Sequence, residues 1–101
     1  MKVKNINGTS QNNCKCGSWL DHWKNFSGQQ IPKFCSEKNC TEKQILGAHV
    51  QKDSSTDRSW YIVPLCNGHN GKAASLEISD SVALVSANVS ETCAKPKTKW
   101  I

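Results

Sequence analysis

Two pairs of soft, deprotonable side chains constrain this chain more than anything else in it: Cys35-x4-Cys40 and, 25 residues later, Cys66-x2-His69. Zinc takes four such ligands, and drawing them from two separated segments closes a loop and fixes a turn. The x2 spacing, placed at a helix start, points both side chains of the second pair at one place. A hairpin between the pairs would return Cys66 to the side of the first. Cys35, Cys40, Cys66 and His69 are therefore the expected ligands of a structural Zn²⁺. The alternative is a set of buried unpaired cysteines and a surface histidine.

The rest of the chain calls for such a staple. Only 37% of its 101 residues are hydrophobic, a figure that already counts six Cys and four Trp. A chain of this length buries roughly 60–70% of its surface on folding, which leaves stability marginal. Domains in that position use disulfides or a metal. Met1 to Asn13 contains no apolar run of the kind an export signal needs. No segment approaches the roughly 20 apolar residues of a membrane span. The expectation is a cytoplasmic monomer with no membrane association. Its uneven cysteines then read as metal ligands rather than bridges. Four Asn-x-Ser/Thr sequences, at Asn7, Asn25, Asn39 and Asn88, become chance matches.

Residues 1–13 read as a flexible polar arm, in which only Val3 and Ile6 are apolar beyond Met1. Residues 14–93 read as one domain and residues 94–101 as a basic tail. Trp19, Leu20, Trp23 and Phe26 recur at helical spacing, with Ser18 as N-cap and Gly28 as terminator. Ile45–Val50 and Trp60–Leu65 read as the strands of a hairpin around a polar loop. Pro64 cannot donate to a ladder, so the second strand ends or lies at an edge there. A short helix after Cys66 is expected. Leu76–Ile78 and Val82–Val85 are expected as short strands joined by residues 79–81. Trp19, Trp23 and Trp60 are assigned to the core, with a base-stacking platform as the alternative. Cys14, Cys16 and Cys93 stay open: a second site with His22, replacement of a chosen ligand, or small buried hydrophobes.

Residues 35–74 resemble the treble-clef and ββα-metal (HNH) endonuclease family, in a stretch of about 40 of the 101 residues. The resemblance rests on the knuckle Cys35-x4-Cys40, then Gly47-Ala-His49-Val50, then Ile62-Val-Pro-Leu-Cys66-Asn-Gly-His69-Asn70. It implies an α+β fold: a small zinc-stabilised treble clef (HNH-like ββα) with a short flanking helix and strands. It also implies His49 as the general base that activates a water, and Asn70 as a ligand of a catalytic Mg²⁺-like ion. Tyr61 stands where the family's central Asn is found, and Ala48 where a further metal-binding side chain is common. Without those partners, His49 is read as a strand histidine beside the zinc site, with Asp53 and Asp57 as the acids that could compensate. The run Cys16-Gly-Ser-Trp19 with His22-Trp23 resembles that of small bacterial proteins, which implies no activity.

The net charge of +5 comes from twelve Lys and a single Arg, Arg58, against eight acids. A basic surface fits a DNA or RNA partner, but sequence readout favours Arg, so base-specific DNA recognition is not expected. The reading is a structural zinc module that binds nucleic acid. Its alternatives are a divergent HNH-type endonuclease and a protein-interaction adaptor.

Overall fold

Ser18 has the side chain to start a helix and Gly28 the backbone freedom to end one. In the computed structural model, which describes residues 1–6, 16–53, 56–71 and 75–88, helix α1 spans Trp19–Ser27. The Ser18 hydroxyl accepts the Asp21 N–H at 3.0 Å, and Gly28 closes the helix in the left-handed region at φ 70°. The buried side is shifted from the expected aromatic stripe. His22 and Trp23 are enclosed and Trp19 is half-buried, whereas Phe26 is exposed. The Phe26 ring, in the last turn, lies 5.0 Å from that of His22.

Five strands form one antiparallel sheet: β1 (Lys2–Asn5), β2 (Ile45–Lys52), β3 (Tyr61–Cys66), β4 (Leu76–Glu77) and β5 (Val85–Ser86). Their order is β4-β1-β2-β3-β5. The β2–β3 hairpin has the expected centre, with Ala48 opposite Val63 and His49 opposite Ile62. A four-residue helix, α2 (Asn67–Asn70), follows, with Cys66 as its N-cap.

The start of the expected arm is instead an interior strand. Residues 2–5 pair with β2 on one side and β4 on the other, and Val3 is fully buried. A half-buried strand needs an inward side chain only at alternate positions. The low apolar content that suggested a free arm is thus enough for a four-residue strand. Residues 7–13 of that arm, the tail at 94–101, Cys14 and Cys93 lie outside the described residues.

Leu76–Ile78 and Val82–Val85 do not pair with each other. Leu76 lies opposite Val3, and the Ile78 N–H donates to the Met1 carbonyl at 2.8 Å, so this segment takes the free edge of β1. Val85 lies opposite Ile62 on the other edge of the sheet. Pro64 sits inside β3 where, among the described residues, β2 is its only strand neighbour. Its carbonyl accepts the Ser36 N–H at 3.1 Å, which turns its proline nitrogen to the same outer side, where no ladder bond is lost.

The sheet buries both faces. Val3, Ala48, Val50, Val63 and Leu65 pack on one side with Cys35, Leu76 and Ile78. Trp23, Ile62 and Val85 form a smaller core on the other, under α1. The helix lies directly on Gly47, where a Cβ would come within 2.4 Å of the Trp19 backbone carbon. Only glycine admits that approach. Trp60 is not core: it is 41% exposed, because Trp19 and Trp23 of α1 already occupy the face beside it. Among the described residues no helix is long and apolar enough to cross a membrane.

Candidate metal centre

The knuckle is built by its own backbone. The Cys40 N–H donates to the Glu37 carbonyl at 3.1 Å, a tight turn, and the Asn39 N–H is held by the Glu37 carboxylate at 2.9 Å. The Glu42 N–H points at the Cys40 sulfur at 3.5 Å, and the Cys35 N–H closes the loop on the Glu42 carbonyl at 2.8 Å. This loop is tied down on both flanks. Ser36 donates to Pro64 of β3, Lys38 donates to Glu77 of β4 at 2.9 Å, and Ser79 donates back to Ser36 at 3.0 Å.

The second pair arrives from the end of β3. Cys66 caps α2, and one turn on His69 directs its Nδ1 back at the sulfurs. Asn5 of β1 fixes that turn by donating its side-chain amide to the His69 carbonyl at 2.6 Å. The N-terminal strand therefore supports the centre, a role that no spacing in the sequence announces.

The four donor atoms of Cys35, Cys40, Cys66 and His69 lie within 4.8 Å of one another. His69 Nδ1 is 3.4 Å from the Cys35 sulfur and 3.3 Å from that of Cys66, and the Cys40 and Cys66 sulfurs are 3.9 Å apart. A tetrahedral zinc site with bonds of about 2.3 Å to sulfur and 2.0 Å to nitrogen has edges of about 3.8 Å (S···S) and 3.5 Å (S···N). The donor set and its spacing thus fit a metal ion such as zinc, and all four expected ligands come together.

The electrostatics agree with that use. Burial pushes the Cys35 thiol up to about 11, against the backbone N–H groups of Cys66 and Glu37, which favour its thiolate. Burial also opposes ionisation of Cys66, but the N–H groups of His69 and Gly68 and the neighbouring thiols outweigh it, so that thiol lies below its ordinary value. A dipositive ion would complete the inversion, since a coordinating thiol is deprotonated outright. Cys35 and Cys66 are buried, whereas Cys40 and His69 are half-exposed along a cavity of about 480 Å³ that also reaches Glu42 and Gln44.

His49 is elsewhere. Alternation along β2 turns it away from Ala48 and Val50, and hence away from the core that contains Cys35. Its ring meets Trp19 edge-on at 4.5 Å and Trp60 at 6.3 Å, and its buried Nε2 has no hydrogen-bond partner among the described residues. Among the described residues no hydrogen bond joins His49 to Asn70, and His49 belongs to no group of three or more His, Cys, Asp or Glu ligands. The two candidate compensating acids are engaged away from it. Asp57 accepts from the Tyr61 hydroxyl at 2.5 Å and pairs with Lys52 at 3.2 Å, while Asp53 is bonded by the Ser75 hydroxyl. Tyr61 lies opposite Val50, on the face that His49 does not share.

The burial of His49, with the neighbouring His22 as the lesser cause, holds its imidazole below the ordinary value of 6.5. The neutral ring is favoured by folding, so its contribution to stability is complete above pH 6.5 and declines as pH falls below it. An NMR titration of the metal-loaded protein is expected to give His49 a midpoint below 6.5. A midpoint at or above that value would mean that the ring is open to water.

His22 was legible only as an accessory ligand. It is fully buried, and its Nε2 lies 2.8 Å from the Ser86 carbonyl, which can only accept, so that nitrogen carries the proton. Its Nδ1 faces the Cys16 sulfur at 4.0 Å. No protein-family model, curated protein or solved structure matches the chain.

Proposed function

We propose that this chain is a treble-clef-type domain, stapled by a structural Zn²⁺, that binds nucleic acid through its lysine-rich surface. The observation that carries the reading is the convergence of Cys35, Cys40, Cys66 and His69 from a knuckle and a helix start. Four protein ligands complete a tetrahedron and leave no open position for a water or substrate, the pattern of a structural rather than a catalytic ion. What the ion supplies is a fixed junction between residues 35–40, β3 and α2.

Support for the partner is the charge. Lys2, Lys4, Lys24, Lys33 and Lys43 are exposed and, among the described residues, have no ion pair. Together with the net charge of +5 they suit a polyanion approached without base-specific readout. An HNH-type nuclease is the weaker reading. It requires His49 to reach a water beside a phosphodiester and Asn70 to hold a second cation, whereas His49 is enclosed by Trp19 and Trp60.

Fluorescence anisotropy with labelled single-stranded and duplex oligonucleotides tests the proposal. Affinity is expected to fall with salt, with a log–log slope of about −0.7 per phosphate neutralised on a single strand and −0.9 on duplex DNA. His49→Ala should bind as the wild type does, and neither should cleave in Mg²⁺. Mg²⁺-dependent cleavage that disappears in His49→Ala would replace this reading with the nuclease. Failure to bind either oligonucleotide would remove the nucleic-acid half and leave the zinc-stapled domain alone.

A further inference from the structure

We infer that Trp60 is the stacking residue of a single-strand site, in which the polar cavity beside it takes the edge of one unpaired base and Arg58 takes the adjoining phosphate. The inference rests on the nucleic-acid reading above and names the surface that would carry it.

Trp60 is the outlier among the described tryptophans. Trp23 is enclosed in the core beneath α1, whereas Trp60 is 41% exposed at the rim of the same face. A large ring left in water at the end of a rigid strand has a π-face to offer, and every base can use one. The indole is held from behind. It meets the buried His49 ring edge-on, with an interplanar angle of 86°, and its own carbonyl accepts the Ala87 N–H at 2.9 Å. That bond joins the Ser59–Trp60 segment to the segment that continues β5.

Between these two segments lies a cavity of about 350 Å³, lined by Ser59, Trp60, Ser86, Ala87 and Asn88. Its size is at the small end of the roughly 300–1,000 Å³ of small-ligand sites, suited to one base rather than a folded partner. The Ser86 hydroxyl there accepts the Asn88 N–H at 3.1 Å and keeps its own O–H to donate to a base edge, which gives tolerance rather than sequence choice. Arg58, the only arginine of the chain, is exposed two residues before Trp60. Its nearest candidate partner is spent: Asp57 is bound by Tyr61 and Lys52, and among the described residues Arg58 has no ion pair. Gln51 fixes the loop by donating to the Arg58 carbonyl at 2.7 Å. A guanidinium, a flat ring and a polar slot therefore follow one another along a pinned backbone. A duplex keeps its base faces stacked inside, so the occupant that matches an exposed indole is an unpaired strand.

The test uses the metal-loaded full chain with a fluorescein-labelled oligothymidylate and a labelled duplex of the same length. Trp60→Ala is expected to weaken binding of the single strand by about 5- to 150-fold, the range that loss of one stacked base gives. It should leave the salt slope and duplex binding as they were, and Trp60→Phe should recover most of the affinity. Arg58→Gln should instead reduce the single-strand salt slope by about 0.7. Circular dichroism is expected to give both Trp60 variants the wild-type fold, since the ring is already largely outside the core. If the wild type binds the single strand and Trp60→Ala binds it equally well, or weakens strand and duplex alike, the stacking site is overturned while the nucleic-acid reading stands. If the wild type binds neither probe, both fall together.

Discussion

Stripping the metal from the Cys35–Cys40–Cys66–His69 centre is expected to unfold the domain rather than loosen one loop. Structural zinc contributes an apparent ~10–16 kcal/mol at neutral pH, as much as the ~5–15 kcal/mol of net stability that a whole domain has. The hydrogen bonds around the knuckle make the effect global. Ser36 holds the outer side of β3 at Pro64, Lys38 holds β4 at Glu77, and Ser79 returns to Ser36. Releasing residues 35–40 therefore unties the outer side of β3 and the 76–79 segment together, and β4 in turn flanks β1, whose Asn5 supports His69.

Elemental analysis should find one zinc per chain, and thiol counting under denaturing conditions should find all six cysteines free. A strong chelator should abolish the far-UV circular dichroism of the fold, and added Zn²⁺ should restore it. Cys66→Ser should lose both metal and fold. Cobalt substitution offers a readout that unfolding alone cannot mimic, because three thiolates and one imidazole give a tetrahedral, sulfur-rich absorption spectrum. A protein that keeps a cooperative melt without metal, or that has few free thiols, would overturn the centre.

The clustering of Cys35, Cys40, Cys66 and His69 was legible because it is written in local spacing: an x4 knuckle, and an x2 pair at a helix start, where one turn brings Cys66 and His69 together. The hairpin and α1 were legible for the same reason, since alternation and a Ser18–Gly28 frame are properties of contiguous residues. What escaped was long-range partner choice. Lys2–Asn5 is too short and too polar to be distinguished from a loose arm, and it becomes a strand only because β2 and β4 both have edges to pair. Leu76–Ile78 and Val82–Val85 read as short strands joined by residues 79–81, yet they pair on opposite edges of the sheet, Leu76 beside Val3 and Val85 beside Ile62. Trp60 reads as core by composition alone. Its exposure follows from Gly47, whose missing side chain lets α1 settle close enough for Trp19 and Trp23 to fill the face first. His49 was placed on a strand correctly, but its surroundings depend on which face α1 covers.

Trp23→Ala should be the most damaging substitution outside the metal centre. Trp23 is 1% exposed and fills the small core with Ile62 and Val85, and its indole N–H donates to the Ala83 carbonyl at 2.8 Å. Removing a buried Trp typically costs ~3–5 kcal/mol, and the cost is greatest where neighbours cannot collapse into the space. Here they are strand residues pinned by their ladders, and the bond that holds the segment leading into β5 is lost as well. With roughly 4–8 °C of melting temperature per kcal/mol in a domain of this size, the metal-loaded variant should melt ~15–30 °C lower. Trp23→Phe should fall between it and the wild type, because the ring volume is partly kept while the bond to Ala83 is not. Trp60→Ala is the internal control, with an expected shift of only a few degrees for a ring 41% exposed. The two cores occupy opposite faces of the sheet, so Trp23→Ala should still bind one metal below its melting temperature. Equal melting of Trp23→Ala and Trp60→Ala would mean that α1 does not pack on the β2–β3 hairpin, and Trp60 would then lose the argument for its exposure.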